Sequence, residues 1–125
     1  MNGSNQHGHR LSRSSRLRRQ ADFDRVYRNK AYAADNTLVV QGCDNELGYC
    51  RLGLSVSRRV GNAVVRNRWK RLIREAFRLQ RAKLPASLDL VVRPRRDAQM
   101  SFKAIHDALP RLAQSVERRL RQSAS

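Results

Sequence analysis

The run from Ser55 to Arg78, SVSRRVGNAVVRNRWKRLIREAFR, constrains the fold more than any other part of the chain. It combines the end of a strand, a Gly-Asn turn and a helix with one apolar and one basic face. Between Arg58 and Lys83 there are ten Lys/Arg residues and a single acid, Glu75. The apolar face predicts packing on a core, and the basic face predicts a polyanion beside the helix. The run therefore indicates a folded module and not a loose basic tail.

The composition also indicates a polyanionic partner. The 125 residues suffice for one domain with a modest core, since 40% of them are apolar. The formal net charge is +17, and self-repulsion of this size destabilises a fold until a partner neutralises it. Nucleic acid is the commonest partner for such a chain, while an anionic membrane surface or another protein is less common.

The chain carries no signal for a membrane or for export. No segment approaches the roughly 20 apolar residues of a membrane span, and the N-terminal residues lack the apolar core of a secretory signal. We therefore expect a cytoplasmic protein in which Cys43 and Cys50 are reduced. These cysteines bracket the segment DNELGY. The sequence favours two small strand residues without a special role, and the alternative is that they face each other across a hairpin. Two cysteines alone do not make a zinc site, and no metal site is predicted.

Polarity divides the chain into three predicted parts. Residues 1–15 form a disordered basic arm, residues 16–121 a single RNA-binding α/β domain, and residues 122–125 a flexible tail. The predicted elements follow the order α-β-β-(β)-α-β-α, where the bracketed strand is an optional short one.

The first half of the domain is predicted as a helix followed by two strands. Gln20–Lys30 has Phe23 and Tyr27 one turn apart, on the face that also carries Val26. Thr37–Cys43 and Arg51–Ser57 have the composition or the alternation of strands, and we expect them to pair as an antiparallel hairpin.

The second half is predicted as helix, strand and helix. Asn62 is the expected N-cap of the first helix, directly after Gly61. Leu88–Arg93 is a short apolar strand, which with the preceding strand and helix makes a βαβ unit with parallel pairing. The last helix, Ser101–Arg121, contains Pro110, which must kink it or split it in two.

The central helix has two chemically different faces. Its apolar stripe contains Val65, Trp69, Leu72, Ile73 and Ala76. Its opposite side collects the basic and polar residues Asn67, Lys70, Arg71, Arg74, Arg78 and Arg81, with Arg66 and Arg68 at the boundary. Guanidinium groups near a helix N-terminus suit phosphate, because the free N–H groups and the helix dipole add to their charge.

The N-terminal helix is a second candidate site. Aromatic residues one turn apart, as Phe23 and Tyr27 are, belong more often to a core than to a binding surface. Neighbouring basic residues, among them Arg25, favour a surface on which single-stranded nucleic acid stacks. Both interpretations stay open from the sequence alone. The chain shows no paired carboxylates, no metal-ligand motif and no nucleophile motif, so no catalytic residue is predicted.

The run GNAVVRNRWKRLIREAFR resembles the protein component of bacterial ribonuclease P, and the resemblance extends over roughly residues 16 to 120. It implies a catalytic RNA as partner and removal of the 5′ leader of precursor tRNA, with no obligate protein partner. It also implies an α/β sandwich whose mixed sheet contains a left-handed β-α-β crossover, against the usual hand. The catalytic groups and the bound magnesium would belong to the RNA, and this chain alone would hold no cofactor.

The resemblance carries over to individual residues. It implies a helix facing the catalytic RNA with Arg66, Asn67, Arg68, Lys70, Arg71 and Arg74, and a turn formed by Gly61 and Asn62. It implies a leader-binding groove that contains Phe23, Tyr27, Val39, Gln41, Ser55, Arg58 and Arg59.

The chain departs from the family pattern at three places. Members can place an aromatic residue at the Gln41 position, so base stacking at this position does not carry over from the resemblance. The other departures are Pro110 and the basic N-terminal arm. Two alternatives to a ribonucleoprotein subunit remain, namely a structural RNA-binding protein of the ribosomal type and a stand-alone nuclease.

Overall fold

Three helices and four strands make up the fold in the computed structural model, which describes residues 11–124. Their order is α-β-β-β-α-β-α, so the optional strand is present, and it lies directly after the first helix. The elements are α1 (Gln20–Asn29), β1 (Ala31–Ala34), β2 (Leu38–Asp44), β3 (Arg51–Leu54), α2 (Ala63–Leu79), β4 (Leu88–Pro94) and α3 (Phe102–Ala124).

The four strands form one mixed sheet in the order β1-β2-β4-β3. The β1–β2 and β2–β4 pairs are antiparallel, and β3 runs parallel to β4. The predicted βαβ unit, β3–α2–β4, is therefore confirmed. The left hand of its crossover stays a prediction.

The predicted hairpin between Thr37–Cys43 and Arg51–Ser57 is wrong, because β4 lies between these two segments. The run Leu88–Val92 is buried throughout, as expected of a strand covered on both faces, and it takes a central place in the sheet. Cys43 consequently faces Asp89 in the register and not Cys50. The two cysteines are free, and burial raises the pKa of both thiols, that of Cys50 to about 12.

The main core lies on the face of the sheet that α2 and α3 cover. Trp69, Ile73 and Ala76 from the predicted stripe are buried there, and Trp69 is only 2% exposed. The stripe of α3 reaches the same core with the residues Ile105, Leu109, Leu112, Val116 and Leu120. The amphipathic interpretation of both helices is confirmed. Because the apolar stripe of α2 faces the core, the opposite, basic side of α2 faces solvent.

The opposite face of the sheet carries α1 and a much smaller cluster of apolar residues. Leu17, Val26, Cys43 and Val91 are buried in it, and Phe23 packs against them. Beside this cluster Asp89 is completely buried. Alternation along each strand places on this same face the residues Val39, Gln41, Arg51, Gly53 and Arg93.

The ends of the domain differ from the prediction. Leu11 and Ser15 are buried, and Arg16 forms a β-bridge with Leu52. Residues 11–15 therefore belong to the folded domain and not to the arm, while residues 1–10 of the predicted arm lie outside the described residues. At the other end α3 continues to Ala124, so most of the predicted tail, residues 122–125, is helical.

Pro110 does not split α3, which is continuous from Phe102 to Ala124. Proline has no N–H, so the carbonyl of His106, four residues earlier, loses its helical partner. The buried side chain of Gln80 replaces it, because its Nε2 donates a hydrogen bond of 2.8 Å to that carbonyl. A side chain at the end of α2 thus compensates for the helical hydrogen bond that Pro110 removes.

Candidate nucleic-acid interface

The turn before α2 is built as the sequence predicts. The Oδ1 of Asn62 accepts a hydrogen bond of 3.0 Å from the Val65 N–H, which makes Asn62 the N-cap. Gly61 is needed because a Cβ there would lie 2.8 Å from a methyl carbon of Val65. The predicted basic pair Arg58 and Arg59 precedes this turn, and both side chains are exposed. The turn therefore brings two arginines and the capping asparagine to the amino end of α2.

We call the six predicted RNA-facing residues of α2 the basic face: Arg66, Asn67, Arg68, Lys70, Arg71 and Arg74. Asn67, Arg68 and Arg71 are exposed. The only acid of α2, Glu75, is bound to Arg78 at 2.5 Å. The charge of the basic face is therefore not neutralised within the helix.

The remaining members of the basic face have distinct surroundings. Arg66 is half-buried and donates from Nη1 to the Gly61 carbonyl at 3.0 Å, so it also holds the turn. Lys70 and Arg74 are half-buried and line a small cavity beside Phe23. Burial, and then the nearby Arg16 guanidinium, lower the pKa of Arg74.

Arg16 is a basic residue of this surface that the predicted site did not include. It lines a cleft of about 520 Å³ between the N-terminal segment and α2, together with Asn67, Arg71 and Arg74. Its Nε is buried and has no hydrogen-bond partner among the described residues. Arg78 also lines this cleft, beside its partner Glu75. The other three guanidinium groups have no acid partner within residues 11–124, and such a group of charges suits a phosphate. The arginine-rich run RLRR was the available signal, but only the fold brings it to α2.

The predicted groove residues share the face of the sheet under α1. Val39 and Gln41 lie on β2, and Ser55 follows β3 and donates from its N–H to the Val92 carbonyl at 3.1 Å. Gly53 permits α1 to approach closely, because a Cβ there would lie 2.9 Å from ring carbons of Phe23. Val39 is buried, whereas Gln41 and Ser55 are half-buried.

The sequence left open whether Phe23 and Tyr27 belong to a core or to a binding surface, and the structure gives a different answer for each residue. The rings of Phe23 and Tyr27 lie 6.4 Å apart between centroids, tilted by 45°. Phe23 is half-buried and packs on the small cluster, while Tyr27 is 39% exposed. Phe23 is therefore mainly a packing residue, whereas the ring of Tyr27 remains accessible at the surface.

Two further residues of this face were missed by the sequence prediction. Arg93 is exposed and donates from Nη1 to the Oε1 of Gln41 at 2.9 Å. Tyr32 lies directly opposite Gln41 in the β1–β2 register and is 52% exposed, with the Arg119 guanidinium 5.9 Å from its ring centroid. Alternation along β4 was the signal for Arg93. Tyr32 was omitted because the prediction assigned no residues to the optional strand, which is β1 in the structure.

Arg25 does not belong to the nucleic-acid surface that the basic residues near α1 were expected to form. Its guanidinium binds the buried carboxylate of Asp89, which also accepts hydrogen bonds of 2.7 and 2.8 Å from Arg51 and one of 2.8 Å from Asn45. The hydrogen bond to Cys43 and the charges of Asp89 and Asp22 raise the pKa of Arg25. This ion cluster, Asp89 with Arg25, Arg51 and Asn45, ties α1 to the sheet.

No helix within residues 11–124 combines the length and the hydropathy of a membrane span. In the same residues no group of three or more His, Cys, Asp or Glu side chains is arranged to hold a metal ion.

Comparison with known proteins identifies the family. The model of the ribonuclease P family matches residues 11–117. The ribonuclease P protein component of Pelotomaculum thermopropionicum is 38% identical over 102 residues, which cover 81% of this chain and 91% of the relative. That of Lachnoclostridium phytofermentans is 42% identical over 101 residues, covering 80% and 87%.

Solved structures agree with this result. The Staphylococcus aureus RNase P protein superposes with a TM-score of 0.71 at 36% identity and covers 80% of this chain and 93% of its own. The Thermotoga maritima protein gives a TM-score of 0.72 at 31% identity, with coverage of 79% and 96%. The mixed sheet with its three helices is therefore the fold of these proteins. The chain belongs to the family of ribonuclease P protein components, subunits of a ribonuclease that processes tRNA.

Proposed function

We propose that this chain binds the catalytic RNA of ribonuclease P with one surface and the single-stranded 5′ leader of precursor tRNA with another. The observation that carries the proposal is the contrast between the two surfaces. The basic face of α2 is rich in exposed charge and has no exposed aromatic ring, whereas the groove under α1 combines aromatic rings with polar groups. A structured RNA presents mainly phosphates, and an unpaired leader also presents bases.

The basic face suits the catalytic RNA. Arg68 and Arg71 are exposed and have no acid partner among the described residues. The cleft beside Arg16 adds guanidinium groups whose fork geometry matches phosphate oxygens. Such contacts release counterions from the RNA, so binding here should depend strongly on salt.

The groove suits the leader. Tyr27 offers an exposed ring at one side, and the half-buried Gln41 and Ser55 form the floor. The exposed Arg58 and Arg59 lie beyond the end of β3, where they would contact the leader phosphates. Stacking on an aromatic ring tolerates any base, which fits a subunit that serves many different precursors.

Endonucleolytic cleavage would be carried out by the RNA and by the magnesium bound to it. The acidic side chains of this chain are largely engaged in ion pairs, and buried Asp89 already accepts from three residues. We therefore assign no catalytic group and no metal ligand to this chain. Because bacterial precursor tRNA is made in the cytoplasm, the complex would act there.

The test is a cleavage assay on precursor tRNA at low magnesium, with protein alone, with a ribonuclease P RNA alone, and with both. We expect cleavage at the mature 5′ end to require the RNA and to increase when the protein is added. Cleavage at that site by nuclease-free protein without RNA would show a stand-alone nuclease. An RNA reaction that the protein does not accelerate would favour the structural, ribosomal-type alternative.

A further inference from the structure

Gln41 and Arg93 form a hydrogen-bonded pair on the open floor of the groove. The Nη1 of Arg93 donates to the Oε1 of Gln41 at 2.9 Å across the β2–β4 pair. Arg93 is exposed, and within residues 11–124 it forms no ion pair. An arginine whose visible partner is a neutral amide keeps its charge available for a ligand.

The hydrogen bond determines which groups the pair presents to the groove. A guanidinium has five N–H donors and no acceptor, so it fixes the Gln41 amide with its oxygen toward Arg93. The amide NH₂ then points away from Arg93 and remains free to donate. The pair therefore presents several donors and little accepting capacity.

We propose that Gln41 and Arg93 form a base-reading subsite for the leader, and that it prefers guanine. The inference rests on the proposed leader groove and adds base selectivity to it. It also gives a role to the position where this chain has Gln41 in place of an aromatic residue.

Guanine is favoured because its O6 and N7 are two adjacent acceptors, which an arginine fork contacts bidentately. Adenine has N7 beside an N6 amino group, and that donor would face the donors of Arg93. The bases of a single-stranded leader expose these edges freely.

Tyr32 supplies an apolar surface beside the pair. It lies opposite Gln41 on the neighbouring strand, and its ring is half exposed with Arg119 near it. A base that stacks on this ring would have its edge near Gln41 and Arg93. Because stacking accepts any base, selectivity comes from the hydrogen bonds.

The experiment measures the affinity of the reconstituted holoenzyme for precursor tRNAs whose leader is all adenosine except for one guanosine. The guanosine is moved along the leader one position at a time. We expect one position at which guanosine tightens binding by about tenfold, in line with a bidentate arginine contact. Replacing that guanosine by 7-deazaguanosine, which lacks only the N7 acceptor, should remove most of the gain.

Three variants link the effect to the pair. Arg93→Lys keeps the charge but loses the fork, and Gln41→Ala removes the group that orients the fork, so both should lose the guanosine preference. Arg118→Lys is the matched control, since it makes the same exchange at an arginine that is exposed on α3, behind the opposite face of the sheet. It should retain the preference, and melting curves should show all three variants folded.

The possible outcomes distinguish a failure of the base-reading subsite from a failure of the leader groove. If the wild-type holoenzyme favours precursor over mature tRNA but no leader position prefers guanosine, the base-reading subsite is wrong and the groove stands. A preference that survives in Arg93→Lys, or with 7-deazaguanosine, also overturns the subsite. Equal affinity of the wild type for precursor and mature tRNA would refute the leader groove and the subsite together.

Discussion

The two faces of the central sheet are stabilised in different ways. On one face α2 and α3 bury a continuous apolar core that includes Trp69, Phe77 and Leu109. On the other, α1 packs in a cluster that has only four buried apolar residues, and its position depends in addition on the ion cluster around Asp89. Apolar burial is not directional, whereas hydrogen-bonded charges fix a geometry. The face under α2 and α3 thus supplies most of the apolar stabilisation, whereas the contacts on the other face hold α1 in place over the groove.

The difference implies that the two nucleic-acid surfaces are separable. The basic face belongs to a helix anchored in the main core, and its arginines point away from that core. The groove belongs to a thin layer whose position depends on a few polar contacts. Damage to the thin layer should reduce leader binding and leave the binding of the catalytic RNA intact.

The largest expected effect comes from breaking the main core. Trp69→Ala should lower the free energy of unfolding by about 3–5 kcal/mol, because Trp69 is 2% exposed and its truncation removes buried apolar contacts from the core. A urea titration of the free protein measures this. Normal stability combined with a loss of RNA affinity would show that Trp69 faces the RNA and that the faces of α2 are wrongly assigned.

The next largest effect should come from the basic face without any change in stability. The double variant Arg68→Ala, Arg71→Ala should weaken binding to the catalytic RNA roughly 50-fold near 0.1 M salt, since each lost phosphate contact reduces the salt slope by about 0.7–0.9. The measurement is a series of binding titrations at increasing salt.

The control for this variant is Lys103→Ala with Arg118→Ala, which removes the same charge from the exposed side of α3. It should change the affinity for the RNA much less. Equal losses in the two double variants would mean that net charge, and not the basic face, drives binding.

A smaller effect is expected when the ion cluster is weakened. Asp89→Asn should lower the free energy of unfolding by about 2 kcal/mol, because Arg25 and Arg51 lose their charged acceptor. Precursor tRNA should bind the holoenzyme more weakly, while the affinity for the catalytic RNA stays unchanged. Asp44→Asn is the control: this exposed carboxylate pairs with Arg121 at the surface, so its loss should leave stability nearly unchanged. A parallel loss of affinity for both RNAs would contradict the separation of the two layers.

The smallest expected effect is the loss of affinity for precursor tRNA when the ring of Tyr27 is removed. Tyr27→Ala should weaken the binding of precursor tRNA to the holoenzyme by about tenfold, the equivalent of about 1.4 kcal/mol of stacking. Mature tRNA has no leader, so its affinity should hardly change. Equal losses for precursor and mature tRNA would make Tyr27 a packing residue.

Local patterns in the sequence were sufficient for the helices. The apolar stripe and the Gly61–Asn62 signal predicted the start and the buried side of α2, because capping and amphipathicity depend on near neighbours. Strand pairing was not predictable in the same way. The sequence order favoured β2 next to β3, but β4 enters between them only after the chain has passed through α2.

Those parts of the candidate site that lie within one helix or one strand could be predicted from the sequence. The basic face follows from one helix, whereas Arg16 and Arg93 become part of the surfaces only through long-range contacts. Arg25 shows the opposite error, since its charge was expected to serve a ligand but is used by buried Asp89. A sequence shows how many charges a chain has, and the fold determines which of them remain free.

The hydrogen bond from Gln80 to the His106 carbonyl has a consequence for how this chain evolves. A glutamine at position 80 keeps a hydrogen-bond partner whatever residue occupies position 110, because its Nε2 also donates to the Ala76 carbonyl at 3.2 Å. A proline that arrived first would leave the part-buried His106 carbonyl without a protein donor. The order of the two substitutions is therefore constrained, because proline at position 110 is tolerated best when the glutamine is already present. Once the proline is in place, replacing the glutamine would cost the His106 carbonyl its donor.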